Sequence, residues 1–197
     1  MIKRLFDFVA SLFGLILLSL LFLFIASWIK LDSKGPVFFR QQRVGLNGAV
    51  FKIHKFRTMK RFSEGLGRLT IGDDDRITQS GLFLRKFKLD ELPQLIDVFI
   101  GNMSLVGPRP EVQEFIDMYP VDIKNKILSI KPGITDIASI EMVDESAILG
   151  KYKDPKKAYI EIILPIKQKH YISYIDNSSM WLDIKIIFMT LKKIMER

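Results

Sequence analysis

The sequence predicts an α+β fold that is mainly helical. An N-terminal membrane helix, re-entrant or spanning, precedes a small β-hairpin and amphipathic interfacial helices around one cytosolic domain. Three observations predict it. An uncharged apolar run extends from Phe8 to Ile29, two short β-rich stretches flank Asn47-Gly48, and most later apolar patterns repeat at helical spacing. The implied boundaries are 1–30 for the membrane helix and 31–197 for the cytosolic part.

A chain of 197 residues suffices for one compact domain and an anchor, but not comfortably for two domains. A hydrophobic content of 48% fits an apolar segment on a globular part, and 26% charged residues require most of the chain to face water. With no cysteine, disulfides, thiolate nucleophiles and cysteine-ligated metals are excluded, and a reducing compartment fits. The formal net charge of +8 attracts phosphorylated molecules and anionic membrane phospholipids. Nucleic acid is not an expected partner, because neither zinc-finger spacing nor an aromatic RNA-binding signature is present.

As a helix, the run from Phe8 to Ile29 would reach roughly 33 Å, about the hydrocarbon thickness of a bilayer. It lacks the short core and small-residue cleavage site of a signal peptide, and Trp28 marks an interface at its end. Lys3 and Arg4 precede the run, while Lys30, Lys34, Arg40 and Arg43 follow it. Basic flanks favour the cytoplasmic side. A helix that bends and returns satisfies both flanks, and a straight span satisfies one. Gly14 and the Ser19 region are the candidate bends, although neither breaks a helix as proline would.

Further along, Val37–Phe39 and Ala49–Ile53 read as strands joined by Gly45-Leu46-Asn47-Gly48. Ser63–Asp75 reads as a surface loop, and Ser80–Lys88 as a helix bearing Arg85, Lys86 and Lys88. Asp90-Glu91-Leu92-Pro93 opens another helix, which Gly101-Asn102 closes. A rigid Gly107-Pro108-Arg109-Pro110 loop precedes a helix from Glu111 to Met118, and Lys131-Pro132-Gly133 is a turn. Ala158–Tyr174 and Trp181–Arg197 are helical in pattern. The last has a broad apolar face with lysines opposite, which suits either the headgroup layer or a cover over the core.

The residue inventory excludes several chemistries. His54 and His170 have no metal-ligand spacing, and neither a nucleophile elbow nor a Walker-type loop occurs. Carboxylates, lysines and arginines remain, a set suited to phosphate chemistry. Asp90 and Glu91 at a helix start are commonly a cap. Arg85, Lys86, Lys88 and Arg109 around them support a second role, in which a carboxylate attacks phosphorus while arginines grip phosphate oxygens. Mg2+ would offset the remaining repulsion. Asp73-Asp74-Asp75 is read as a solvated acidic run in preference to a second metal site.

Four motifs occur in order behind the apolar run: Lys55-Phe56-Arg57-Thr58-Met59, Leu89-Asp90-Glu91-Leu92-Pro93-Gln94-Leu95, Gly107-Pro108-Arg109-Pro110 and Lys131-Pro132-Gly133-Ile134-Thr135. Together they resemble the bacterial sugar transferases known as small monotopic phosphoglycosyl transferases, over nearly the whole chain. The resemblance implies a two-step reaction at the cytoplasmic face of the bacterial inner (plasma) membrane, opening a glycoconjugate pathway. Asp90 would attack the β-phosphate of a UDP-sugar, releasing UMP, and undecaprenyl phosphate would then take the phosphosugar. Glu91 would assist in magnesium binding or proton handling, so that Asp90 and Glu91 are the catalytic and metal-binding pair. Lys55, Arg85 and Arg109, and less strongly Arg57, would hold phosphates. The family commonly has Ser-Pro midway through its membrane helix, where this chain has Ser19-Leu20. Larger relatives carry membrane spans ahead of the catalytic unit, with which this chain is expected to begin.

Two competing readings use the same residues. A membrane-bound UDP-sugar pyrophosphohydrolase would use water as acceptor, but a water acceptor needs no membrane. A non-catalytic membrane-surface scaffold would leave the Asp-Glu and Pro-Arg-Pro motifs without purpose. The identity of the sugar is expected to be read around Glu141 to Lys153. Oligomeric state is not legible.

Overall fold

The apolar N-terminal run folds as two helices, α1 (Ile2–Leu17) and α2 (Ser19–Asp32), bent by 61° at Leu18. The computed structural model describes residues 2–60, 74–142 and 145–196. Among these no single helix is long and apolar enough to cross a membrane, and only this bent pair passes by length and composition. Ser19 accompanies the bend, its Oγ donating to the Ile16 carbonyl at 2.8 Å. A serine that bonds back to the preceding turn competes with the helical ladder and bends it without a proline. Gly14, the other candidate, instead lets α1 pack closely on Leu95.

Both ends of the pair are fastened to the rest of the chain by charge. At the start, Lys3 pairs with buried Asp183, and Arg4 donates to the carbonyls of Val98 and Phe99 at 2.6 and 2.8 Å. Asp7 is buried and accepts from the Leu105 N–H at 3.1 Å. At the far end, Asp32 accepts from Ser80 N and Oγ at 2.9 and 2.7 Å. Arg57 donates to Ser33 Oγ, Ser33 O and Pro36 O at 2.6, 2.9 and 2.7 Å. Between these ties, Phe13, Ile16, Leu20, Leu23 and Phe24 remain exposed.

The hairpin forms as expected but is longer: β1 (Phe38–Val44) pairs antiparallel with β2 (Val50–Phe56). Asn47 and Gly48 both take left-handed backbone in the turn, at φ 53° and 79°, where Asn and Gly carry the lowest cost. The helix predicted at 80–88 is α3 (Gln79–Lys86), capped by Thr78. After it come α4 (Gln94–Ile100), closed by left-handed Gly101, and α5 (Gln113–Ile116), a single turn where a helix over 111–118 was expected. The Ser63–Asp75 loop falls largely outside the described residues.

Two strands were not anticipated. β3 (Ser104–Val106) runs parallel to β4 (Gly133–Thr135), so the predicted 131–133 turn continues into a strand. The close approach requires glycine at both ends. A Cβ on Gly133 would stand 2.1 Å from the Gly107 nitrogen, and one on Gly107 would stand 2.6 Å from the Lys131 carbonyl oxygen. This packing accounts for the glycines of the two motifs.

The remaining chain is helical: α6 (Val121–Leu128), α7 (Ile137–Glu141), α8 (Glu145–Leu149), α9 (Pro155–Ala158), α10 (Leu164–Asp176) and α11 (Met180–Met195). A π-turn over Tyr159–Ile163 joins α9 to α10 just before Pro165, whose missing N–H interrupts the regular ladder. The main core gathers Val112, Phe115, Ile116, Tyr159, Ile163 and Tyr171. α11 buries Asp183 and Ile186 and exposes Trp181, Phe188 and Met195. It therefore both covers the core and presents an apolar outer face.

Gly133→Ala should lower stability by about 3 kcal/mol, the upper range of overpacking penalties. A thermal melt in detergent micelles checks this, and an unchanged midpoint would show that β3 and β4 do not approach so closely.

Candidate active site

The site is built where α3 ends and the chain turns back. Lys88 adopts φ 56°, a left-handed conformation that costs a non-glycine residue roughly 1–2 kcal/mol. Leu89–Glu91 then form a 3-10 turn, and regular helix begins only at Gln94. Asp90 and Glu91 were expected to open that helix. They lie ahead of it because Pro93 has no N–H to donate, and the flanking bonds span three residues: Leu92 to Leu89, Leu95 to Leu92, Ile96 to Pro93. The helix dipole, which acts within the first turn, therefore contributes less here than the nearby cations.

Glu91 is held by two cations. Lys55 Nζ, from the end of β2, lies 2.7 Å from Oε1. Arg109, from the loop after β3, donates Nη1 to Oε2 at 3.1 Å and Nη2 to Oε1 in a still closer contact. Burial alone would raise the Glu91 carboxyl, but Arg109 and Lys55 outweigh it and hold the group well below the usual carboxylate range. Reciprocally, Glu91 holds Arg109 well above its ordinary value. Burial dominates at Lys55, whose ammonium drops to about 8 despite Glu91.

Asp90 differs from its neighbour. Its side chain is buried, and Oδ1 has no hydrogen-bond partner among the described residues. Burial and then repulsion from Glu91 push its carboxyl up, against the opposing fields of Lys55, Lys88 and Arg85. Two adjacent carboxylates are thus set apart, one locked in ion pairs and one with an oxygen unoccupied.

Of the six residues singled out in the sequence, five converge. Arg85 lies beside the dyad and is oriented by a 2.9 Å bond from its Nε to Thr58 Oγ1. Lys55 and Arg109 meet at Glu91. Arg57 does not join them, since its guanidinium is spent on the end of α2. His54 is a half-buried structural histidine whose backbone N and Nδ1 both bond the buried Asp97 carboxylate at 2.8 Å. Asp74 is engaged by Arg76, and Asp73 lies outside the described residues.

Sequence reading missed the buried network behind Arg109. Arg43 donates to the Pro110 carbonyl at 2.9 Å and stands 3.7 Å from Glu111. Glu111 accepts from Tyr159 Oη at 2.7 Å, and Lys167 joins it at 3.5 Å while pairing with Glu145 at 2.8 Å. Glu111 follows the Pro-Arg-Pro motif directly, but its partners Tyr159 and Lys167 lie 48 and 56 residues away and share no spacing signal with it.

Among the described residues no group of three or more acidic or histidine side chains is arranged to hold a metal ion. Mg2+ does not require one, since it keeps several waters and is commonly held by one or two carboxylates together with substrate phosphates. The unpartnered Asp90 Oδ1 fits that mode. Glu91, with both oxygens occupied, fits it less well.

The bacterial sugar transferase family model matches residues 1–197. The chain is 37% identical to the sugar transferase EpsL of Bacillus subtilis, covering 98% of this chain and 87% of that protein. It is 39% identical to the UDP-N-acetylgalactosamine-undecaprenyl-phosphate N-acetylgalactosaminephosphotransferase of Aeromonas hydrophila, and 40% to the UDP-glucose:undecaprenyl-phosphate glucose-1-phosphate transferase of Klebsiella pneumoniae. These matches cover 98% and 97% of this chain but 44% and 39% of those two longer proteins. A family match across the whole length, with the Lys55, Asp90-Glu91 and Arg109 motifs meeting at one site, places this chain in the bacterial sugar transferase family.

Proposed function

We propose that the protein transfers a sugar 1-phosphate from a UDP-sugar to undecaprenyl phosphate in two steps through Asp90. The observation that carries this is the asymmetry of the dyad: Glu91 is fixed by Lys55 and Arg109, while Asp90 Oδ1 is buried and unpartnered. In the first step Asp90 attacks the β-phosphorus. An O–P bond to the carboxylate forms, the bond from the β-phosphorus to the bridging oxygen breaks, and UMP leaves with that oxygen. In the second, an acceptor phosphate oxygen attacks the same phosphorus, and the electron pair returns to Asp90.

The chain's cations serve this route. Lys55, Lys88 and Arg85 offset the negative charge brought by the diphosphate, and Arg109 is positioned by Glu91 at the edge of the same site. Glu91, held well below the carboxylate range, stays ionised at neutral pH, which favours an electrostatic and positioning role over proton handling. Mg2+ bound through Asp90 and the substrate phosphates would supply further charge compensation. The relatives' activities on UDP-sugars and undecaprenyl phosphate support the same substrates here.

The α1–α2 pair is proposed to enter and leave the membrane from one side, the cytoplasmic one, where UDP-sugars are found. One catalytic domain grips both ends of the pair, through Asp183 and the α4 carbonyls at the start and through Ser80 and Arg57 at the end. That attachment supports a topology in which both flanks lie on one face of the bilayer. The exposed side of α11, with Trp181 and Phe188, would lie in the headgroup layer.

Three predictions follow from this reading. Incubation with UDP-sugars and Mg2+, without acceptor, should add the mass of a phosphosugar to the Asp90 peptide, and Asp90→Asn should carry no adduct while melting no lower than wild type. An adduct elsewhere, or none in demonstrably active protein, would remove Asp90 as nucleophile. Because Lys55 loses its charge as pH rises through about 8, kcat/KM for the donor should fall on the alkaline side with a midpoint there, and Lys55→Arg should move that limb upward. A profile flat to high pH would mean that Lys55 does not bind phosphate as a cation. Since the sequence has no cysteine, single cysteines at Ile2 and Ser33 should both resist impermeant thiol reagents applied outside cells. Labelling of either would establish a spanning helix.

A further inference from the structure

Between α4, β4, α7 and α11 lies a cavity of about 230 Å³. Its walls are hydrocarbon: Leu92 and Leu95 after the dyad, Ile134 and Ile140 from β4 and α7, Ile187 and Leu191 from α11. The Thr135 and Thr190 hydroxyls also line it, but they bond each other at 2.6 Å and so satisfy part of their own polarity. The other polar residues that reach the cavity are chiefly those of the active site or its border: Glu91 and Arg109, with Lys88 and Lys193.

A uridine or a sugar would leave its polar groups unpaired against such walls, at a cost of roughly 1–3 kcal/mol each. An isoprenoid chain would not. We propose that this cavity is the acceptor subsite, taking the first isoprene units of the polyprenyl phosphate while Lys88, Arg109 and Lys193 draw its phosphate toward Asp90. The assignment rests on the transferase reading above and specifies where the second substrate binds.

Two features select this occupant. The first is charge complementarity: three cations border an apolar chamber beside the nucleophile, matching an anionic head on a hydrocarbon tail. The second is continuity with the outer surface. α11 supplies one wall of the cavity through residues that include half-exposed Leu191 and, on the adjoining flank, exposes Phe188 and Met195, so apolar surface continues from the cavity wall for a departing tail. In the second half-reaction the ionised acceptor phosphate brings its own oxygen to phosphorus, and the bond to Asp90 breaks. No protein base is required.

The test separates the two half-reactions. Leu191→Trp narrows the cavity and Lys193→Glu reverses a bordering charge; both positions are exposed enough to tolerate the change in folding. With undecaprenyl phosphate in mixed micelles, each variant should raise the acceptor KM at least tenfold. The burst of UMP released from UDP-sugar without acceptor should stay within twofold of wild type, and flotation with phosphatidylethanolamine–phosphatidylglycerol vesicles should be unchanged. An unchanged acceptor KM in variants whose wild type forms lipid-linked product overturns the cavity assignment alone. A changed UMP burst overturns it in favour of a donor site, and lost flotation overturns it in favour of membrane docking. Wild-type protein giving neither burst nor lipid-linked product would fail the transferase reading itself, and the subsite with it.

Discussion

Glu91 joins parts of the chain that no helix or sheet joins. It sits in a 3-10 turn and binds Lys55 from the hairpin and Arg109 from the loop after β3. Such a buried cluster is not a gain in stability for free, because taking ions out of water costs several kcal/mol apiece before their attraction repays it. Its value lies in specificity of arrangement. Removing one partner would strand a charge at a cost of about 3–5 kcal/mol, so the three segments hold one geometry or lose the site. Asp90 depends on this bond without sharing in it. With the neighbouring carboxylate neutralised by two cations, a second carboxylate can be buried next to it with one oxygen uncommitted.

The second constraint is backbone proximity. Arg109 reaches Glu91 only because its loop is pinned against β4, and the pinning is glycine on glycine: Gly133 donates to the Pro108 carbonyl at 2.9 Å, where a Cβ would collide with Gly107. Arg43 holds the same loop from the other side through the Pro110 carbonyl. Pro108 and Pro110 restrict the chain between these holds. The rigidity of Arg109 thus comes from its neighbours' lack of freedom, which would suit the phosphate-binding role proposed for it.

What was legible in the sequence divides along the range of the interaction. The hairpin, α3, α10 and α11 follow from local periodicity and turn chemistry, and the core of the site was legible as short motifs of charged residues. β3 and β4 were not, because three-residue strands show no alternation and their pairing spans about 30 residues. Arg57 shows the limit most clearly. As a cation inside a motif it reads as a phosphate ligand, yet its guanidinium closes the end of α2, a partner set that depends on where the N-terminal helices return. The pairing of Glu111 with Lys167 was invisible for the same reason, each being ordinary in isolation and the pair informative only once α10 folds back over the loop. Asp7 and Asp183 likewise gain meaning only when α1 meets α11 and β3.

Under the proposed function, these constraints bear on how a soluble donor and a lipid acceptor would be placed around one carboxylate. Cations from β2 and α3, Lys55 and Arg85, act on Asp90, whereas apolar walls from α4, β4 and α11 meet Glu91, Lys88 and Arg109 in the neighbouring cavity. On the proposed reading, a single turn therefore separates a charged environment suited to a nucleotide from a hydrocarbon one suited to a polyprenol. The proposed covalent intermediate would resolve the problem such a site poses. The two substrates would never need to occupy the site together, and Asp90 would receive the phosphosugar from one environment and release it into the other. Fixing both ends of the α1–α2 pair to the domain contributes the remaining requirement, because it would set the depth of Asp90 relative to the membrane by ion pairs and helix caps instead of by a flexible tether.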